Sequence, residues 1–599
     1  MLDLLSPTHW QQTDRLFHLH TLLGAEVLLG ETVVGMESLF GLPADLSPAS
    51  RLILQPDANW SGLADLPLAH GSPRAGYAFS VTALSRNAHL DLTTLIGQPA
   101  LLEWQTDANR SMLRPLHGQI MQARLLGANG GFARYQLVIE PVLAMLAFRR
   151  DSWVFQNASV IDILTELLTD YRNSAQLAMD FRFDLADSKV YRPQSYRIQY
   201  QESDLHFFCR LLAEEGLYFY FEHHGDTTNA LLGSHTLVIT DRSEAGAQLG
   251  DIRFHRSDAT EATDTIQRWL PEHQVTLGQF DMQSWDYATV DHRPVSATAA
   301  DAPADIANLL IADDDIGQYA YLDRDEGARY AQNAIAAQDV LSQPIFAAGS
   351  VRSLAPAAHF SLTQLDFDIA GVTESPAARV LAVCHSLRNN FDADFSRALE
   401  TAGLGLAAPN TATASNASTA PLYANVLVAL ADVVPYRPQP TLSSASEAAS
   451  GTLSSVFRPL SAGVQTAIVV GIEGSPTDTD RNHRVKLQFH WQRGRMSHSR
   501  LAHPAGDNAP ANEAASTWVR VGTALAGENY GSNFIPRLGQ EVIVGFTHGD
   551  IDRPIILGAV YNGAGAAGQT GNTVASGAGT ATGNAPLWFS GNGHANHLS

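Results

Sequence analysis

The run Gly563-Ala564-Gly565-Ala566-Ala567-Gly568 reproduces the spacing of a dinucleotide-binding fingerprint and follows an apolar stretch that reads as a strand. The chemistry would be pyrophosphate binding, in which glycines let backbone N–H groups approach the phosphates at the opening of a helix. No helix-forming segment follows, and residues 563–599 contain no Asp, Glu, Lys or Arg, so no acidic residue stands ready for the ribose. A linker fits better. Asp478-Thr479-Asp480-Arg481-Asn482 opens like a calcium loop, yet His483 stands where the sharp turn needs Gly and Phe489 where the bidentate Glu belongs. That spacing predicts a solvated hairpin turn. His594 with His597, and His223 with His224, could each offer two nitrogens to a metal, but neither pair has a Cys or carboxylate cluster beside it. No nucleophile elbow, metalloprotease helix, phosphate loop or C-x-x-C occurs in the chain. Carboxylate pairs of the glycosidase kind meet in space rather than in sequence, and nothing singles one out. The expectation is therefore no catalytic residue, no cofactor and no metal.

Bulk properties narrow the classes further. At 599 residues the chain exceeds what one hydrophobic core supports, so several domains are expected. Only 17% of residues are charged, against about 25% in average soluble proteins, which suggests surface covered by a partner. The net charge of −23 argues against nucleic acid, whose phosphates repel an acidic chain. Residues 463–562 are balanced, with nine Lys and Arg against nine Asp and Glu, so they offer no basic groove. Two cysteines, Cys209 and Cys384, make neither a disulfide framework nor a four-ligand metal site and read as buried thiols. The opening residues lack the charge and apolar core of a signal peptide, and no apolar run approaches membrane-spanning length. Folding in the cytosol is expected.

The elements that would position any site are strands. RVKLQFHW (484–491) alternates without a break, placing Val485, Leu487, Phe489 and Trp491 on one face and Arg484, Lys486, Gln488 and His490 on the other. Around it lie QTAIVVG (465–471), TWVRV (517–521), QEVIVGF (540–546) and RPIILGAVYN (553–562). Five strands in about a hundred residues is the inventory of an oligonucleotide/oligosaccharide-binding (OB) type barrel. Gly539 is expected to bend the chain into one strand and Pro554 to start the next. Arg520, Arg537 and Arg553 are candidates to pair with Glu541, Asp550 and Asp552 at the level of the barrel, against the plainer reading of exposed turn charges. Earlier in the chain, YAFSVTALS (77–85), ALLEW (100–104) and ARYQLVIEP (133–141) read as strands, the last after the Asn129-Gly130-Gly131 turn, as does the apolar run near 26–29. Ser159 and Asp162 are spaced as a capping box before Val160, Ile163, Leu164, Leu167 and Leu168. A second helix is expected over 203–215 with Leu205, Phe208, Cys209 and Leu212 inward and Gly216 as its cap. YRIQY (196–200), LYFYFEH (217–223) and HTLVITD (235–241) read as strands, a third helix is expected over 325–341, and strands resume at 380–387 and 423–434. Residues 390–422, 438–455 and 563–587 are rich in Ala, Ser, Thr, Gly and Pro and read as loops or linkers.

RVKLQFHWQRG, TWVRVGTALAGENYGSNFIPRLGQEVIVGF and GDIDRPIILGAVYNG resemble the barrel of VgrG, the valine-glycine repeat spike protein of type VI secretion systems. LLGANGGFARYQLVIEP, FQNASVIDIL and RIQYQESDLHFFCRLLAEEGLYFYFEHH are similar to that family's hub module. The matches cover most of residues 15–562 in order. His483, Gln492 and Ile551 depart from the family's usual Gly, Asp and Pro in turns, which puts turn geometry in question but not the fold.

The resemblance implies a mainly β fold with some α: a hub module of barrel-like β subdomains with helical inserts over 1–438, a linker over 439–460, a five-stranded OB-type barrel over 461–562, and a neck over 563–599. That neck leads toward a β-helix needle that is absent here, and truncation is favoured over a natural short form. A homotrimer is implied, acting as a membrane-puncturing tip like the hub and spike of a contractile phage tail. Its implied partners are itself, the Hcp tube ring, baseplate proteins, effector or adaptor proteins and a PAAR-type tip protein on the needle, with no nucleic acid. Any catalytic domain would lie beyond residue 599, and export would proceed through the type VI machine without a signal peptide. The implied structural residues are Val485, Leu487, Phe489, Trp491, Trp518, Arg537, Gly539, Glu541, Asp550, Asp552 and Arg553. The alternatives are a contractile phage or prophage tail hub, separable by neighbouring genes, and a sugar- or single-strand-binding barrel.

Overall fold

The computed structural model describes residues 10–560, apart from 70, 107–111, 176–179, 256–262, 301–308, 365–375, 405–420, 440–460, 462, 473–474, 493–512, 514–516 and 529, together with 582–583 and 596–597. Strands dominate the described residues. Twelve of them form one large sheet, ordered Phe17–Thr21, Pro99–Gln105, Leu113–Asn129, Phe132–Glu140, Tyr77–Ser85, Leu29–Ser38, Ala377–Arg388, Tyr423–Ala431, Ile345–Gly349 and Ile266–Pro271, with His359–Thr363 joining Gln248–Arg253 to the Ala377–Arg388 strand. The hairpin between Leu113–Asn129 and Phe132–Glu140 turns at Gly130 and Gly131, whose φ values of 60° and 86° suit residues without a Cβ. Glu26 takes φ 63° in a turn, so the apolar run near 26–29 precedes its strand, which begins at Leu29.

Helices cover this β framework where apolar spacing demands it. In Val160–Ala175 the capping box closes as its spacing predicts: Asp162 N donates to Ser159 Oγ (3.2 Å) while Asp162 Oδ2 accepts from Ser159 N (2.9 Å). Ser203 caps Asp204–Glu215 through a 3.2 Å bond from His206 N, and Gly216 ends it at φ 73°. Both helices pack Leu164, Leu167, Leu168, Leu205, Phe208 and Leu212 into one core with Trp153 and Phe219. Arg324–Ser342 lies over a smaller sheet ordered Asp291–Thr298, Gln279–Asp286 and Ile311–Gln318, burying Tyr321, Ala331 and Ile335 against Met282. Among the described residues no helix is long and apolar enough to cross a membrane.

The first Ala- and Ser-rich tract is not wholly a linker. Asp392 caps a helix, Ala393–Thr401, whose Phe395 and Leu399 bury against Trp10 and Phe132. Four apolar residues three and four apart were enough in a segment whose composition reads as linker. Residues 405–420, 440–455, 563–581 and 584–587 lie outside the described residues.

Gln465–Val470, Val485–Phe489, Trp518–Val521, Pro554–Val560 and Glu541–Phe546 close into a barrel in that order. Its interior holds Ala467, Val469, Val485, Leu487, Phe489, Val519, Val542, Val544 and Ile556. The alternation of 484–491 runs out early: the strand ends at Phe489, and 490–492 form a single tight turn. Gln488, expected on the outer face, is buried. Gly539 occupies φ 83° and donates its N–H to Val469 O (2.8 Å), tying the turn to the neighbouring strand. A β-branched residue there meets the left-handed region's steric penalty, roughly 1–2 kcal/mol or more. Gly539→Val is therefore expected to lower the melting temperature, and unchanged melting and assembly would refute the turn's role.

Candidate functional site at the hub and barrel junction

One turn of the barrel enters the hub. After Glu541–Phe546 the chain reverses through Asp550, Ile551, Asp552 and Arg553, with Asp550 Oδ1 accepting from Asp552 N (2.9 Å). Ile551 is buried among Val154, Tyr196 and Ile198 of the hub, joined by the half-buried Tyr200, Trp491 and Phe546. Trp491, half-buried, packs against both this junction and the barrel interior. Its indole stacks on Phe489 (5.0 Å, 8°) and meets Tyr200 of the hub at 5.5 Å. Where the resemblance put a proline in doubt, Ile551 supplies the apolar contact.

Asp552 is also buried, at 4% exposure, which overturns the reading of an exposed turn charge. Its Oδ1 accepts from Ile198 N (2.6 Å) and its Oδ2 sits 3.2 Å from Arg197 Nη1. Arg197 reaches on to Glu214 (2.8 Å), and the fully buried Arg210 bridges Glu202 (2.6 Å), Glu214 (3.3 Å) and Ile198 O (2.9 Å). Burial pushes the Asp552 carboxyl above its ordinary range against the pull of Arg197, while burial opposes the charge on both guanidinium groups but the surrounding carboxylates outweigh it and raise them. Alternating charges at these distances make a buried ionic latch across two units of the chain.

A second contact lies on the small hub sheet. The Arg520 guanidinium stands 4.1 Å above the Tyr287 ring and donates to Gln318 Oε1 (3.1 Å). Arg484, paired with Asp480, donates to Tyr287 Oη (3.1 Å), and Arg553 donates to Tyr319 O (2.7 Å). Arg520, Arg553 and Asp552 therefore act between barrel and hub, a correction to pairing confined to the barrel. The physical reason is that their partners lie roughly 200 to 350 positions away. The remaining candidates stay on the barrel: Trp518 lies half-buried with Lys486 Nζ 4.9 Å from its ring, Arg537 N donates to Gln540 Oε1 (2.8 Å), and Glu541 sits 3.7 Å from His490. His483 takes φ 57°, a left-handed conformation that glycine adopts more easily, beside an Asp480 that accepts from Asn482 N (3.0 Å) and Arg484 N (2.9 Å). Sequence reasoning missed Arg197, Arg210, Tyr287, Gln318 and Tyr319. A trace existed for one of them, since Arg210 interrupts the apolar face of DLHFFCRLLAEE.

The hub interior holds a further polar cluster. His223 and His224 do not pair, because neighbours on the strand Tyr218–Gly225 face opposite ways: His224 is exposed and His223 turns inward. Val142 N donates to His235 Nε2 (3.2 Å), so the His235 proton is on Nδ1 and points to His117 Nδ1 at 2.9 Å. His117 then donates from Nε2 to Leu231 O (2.8 Å), while its backbone N–H donates to His223 Nδ1 (3.2 Å). All three rings are neutral. Burial holds His117 low, His223 down to about 4 and His235 well below the usual value. Burial also pushes the thiols of Cys209 and Cys384 up. The glycine run 563–568 and His594 lie outside the described residues.

Residues 75–375, half of the chain, match the phage tail baseplate hub (GPD) family, and the chain belongs to it. Residues 507–561 match the type VI secretion system/phage-baseplate injector OB domain. The type VI secretion system spike protein VgrG1b of Pseudomonas aeruginosa is 29% identical over 81% of this chain and 56% of its own length. VgrG1c of the same organism is 27% identical over 93% of this chain and 63% of its own length. The chain thus spans under two thirds of either relative. Among solved structures, an Escherichia coli component of the type VI secretion system, described as similar to the T4 bacteriophage tail proteins gp27 and gp5, superposes with a TM-score of 0.51 at 17% identity, covering 91% of this chain and all of that one. The half-lidded Francisella PdpA–VgrG complex gives 0.51 at 9% identity, covering 93% and 79%. At such identities the likeness is one of fold.

Proposed function

We propose that this chain is the hub and barrel of a type VI secretion spike, a mechanical subunit that works as a homotrimer. The observation that carries the reading is the hub match and the injector barrel on one chain, joined through the buried Asp552 turn. The proposed division is a hub over 1–438, a connector over 439–460, the barrel over 461–562 and a neck over 563–599. In this role it caps the Hcp tube, meets baseplate proteins, carries effectors or adaptors, and leaves the cell through the machine it tips. No catalytic step is assigned to residues 1–599. A relative from Vibrio cholerae named actin cross-linking toxin VgrG1 is matched over only 38% of its length, so chemistry of that kind need not be shared.

Self-association has exposed apolar side chains to cover. Leu525, Tyr530, Phe534 and Leu557 on the barrel are more than half exposed, and Phe534 reaches 80%. Such large apolar groups favour a second copy that removes them from water at roughly 25 cal/mol per Å². Native mass spectrometry is expected to find a particle three times 64.5 kDa, reduced to the single chain by Phe534→Asp with Tyr530→Asp. A monomer at high concentration would refute the proposal.

A further inference from the structure

The outermost strand of the large sheet, Phe17–Thr21, places Phe17, Leu19 and Thr21 inward and His18 and His20 together on the opposite face. Its antiparallel register with Pro99–Gln105 sets Glu103 directly across from His18. His20 Nε2 lies 3.1 Å from Glu103 Oε2, and one donor atom from each of the three residues falls within 4.8 Å of the others. An exposed His–Glu bond at a sheet edge would need no further account. His18 does: its Nε2 is buried with no hydrogen-bond partner. His18 thus brings an imidazole with an unpartnered buried nitrogen into a group with a second imidazole and a carboxylate.

Two imidazole nitrogens and one carboxylate oxygen form a borderline donor set that suits zinc and its first-row neighbours and leaves one tetrahedral position for water. Magnesium, which prefers six oxygens, does not fit. Bonds of about 2.1 Å to a common centre place tetrahedral ligand atoms roughly 3.4 Å apart, so modest rotations of half-buried side chains close the set. We propose that His18, His20 and Glu103 bind a first-row divalent cation of the zinc type, clipping the edge strand to its neighbour. The sequence reading expected no metal, because Glu103 lies 83 positions from His20 and only the strand register unites them.

The test uses the full chain stripped with a chelator and then titrated with Zn²⁺ alone by calorimetry and thermal unfolding. One saturable micromolar site that raises the melting temperature is expected. Glu103→Gln and His20→Ala, both on the half-buried outer face, are each expected to weaken it at least tenfold and abolish the thermal shift while leaving the metal-free melting temperature within a few degrees. Co²⁺ is expected to give the intense visible bands of a tetrahedral site, lost in the same variants. Absence of saturable Zn²⁺ binding, or Zn²⁺ affinity unchanged in the Glu103→Gln/His20→Ala double variant, overturns the assignment.

Discussion

Replacing Asp552 with Ala is expected to destabilise the seating of the barrel by about 3–5 kcal/mol, the cost typical of removing one partner from a buried ionic group. Arg197 would keep Glu214 but lose its contact toward the barrel, and Ile198 N would lose its acceptor in a site closed by Ile551. An unpaired buried N–H alone costs about 1–3 kcal/mol. Asp552→Asn should cost less, because an amide oxygen can still accept from Ile198 N. Denaturant unfolding followed by limited proteolysis would read the difference: in Asp552→Ala, cleavage between hub and barrel should appear at denaturant concentrations where the parent resists. Equal resistance in the two proteins would mean that the junction draws its strength elsewhere.

Mild acid is expected to weaken the hub. His223 falls from its ordinary 6.5 to about 4 on folding, and His117 and His235 move the same way. A histidine whose folded value is depressed leaves the unfolded chain binding more protons between the two values, so stability is full above pH 6.5, declines as pH falls toward 4, and stops declining below that. For His223 the loss across this window is about 3 kcal/mol. His223 Nδ1 and His235 Nε2 each accept from a backbone N–H, so a proton added at either nitrogen would face a donor and find no acceptor. Glu31 and Glu140, whose carboxyls burial raises, act in the opposite sense at the lower end of the window. The histidine share is isolated by comparison: His223→Gln should flatten the slope of stability against pH by up to one proton. An identical slope in both proteins would remove His223 from the account.

Much of this architecture was legible because period and punctuation coincided. Alternating residues in 465–560 marked the barrel strands, the Ser159–Asp162 box and the Ser203-to-Gly216 span marked two helices, and both were positioned within a residue or two. Other elements carried no such mark. Ile311–Gln318 contains three consecutive aspartates and forms a strand because it pairs with Gln279–Asp286, not because its residues favour one. The junction was half legible. Asp552, Arg553 and Trp491 stood out by type, but their partners Arg197, Tyr319 and Tyr200 belong to segments whose approach is set by tertiary packing.

The two seats of the barrel lie on different parts of the hub, one at Arg197 and Ile198, the other at Tyr287, Gln318 and Tyr319. A single seat would act as a pivot. Contacts to two different hub elements hold the barrel against turning about either one.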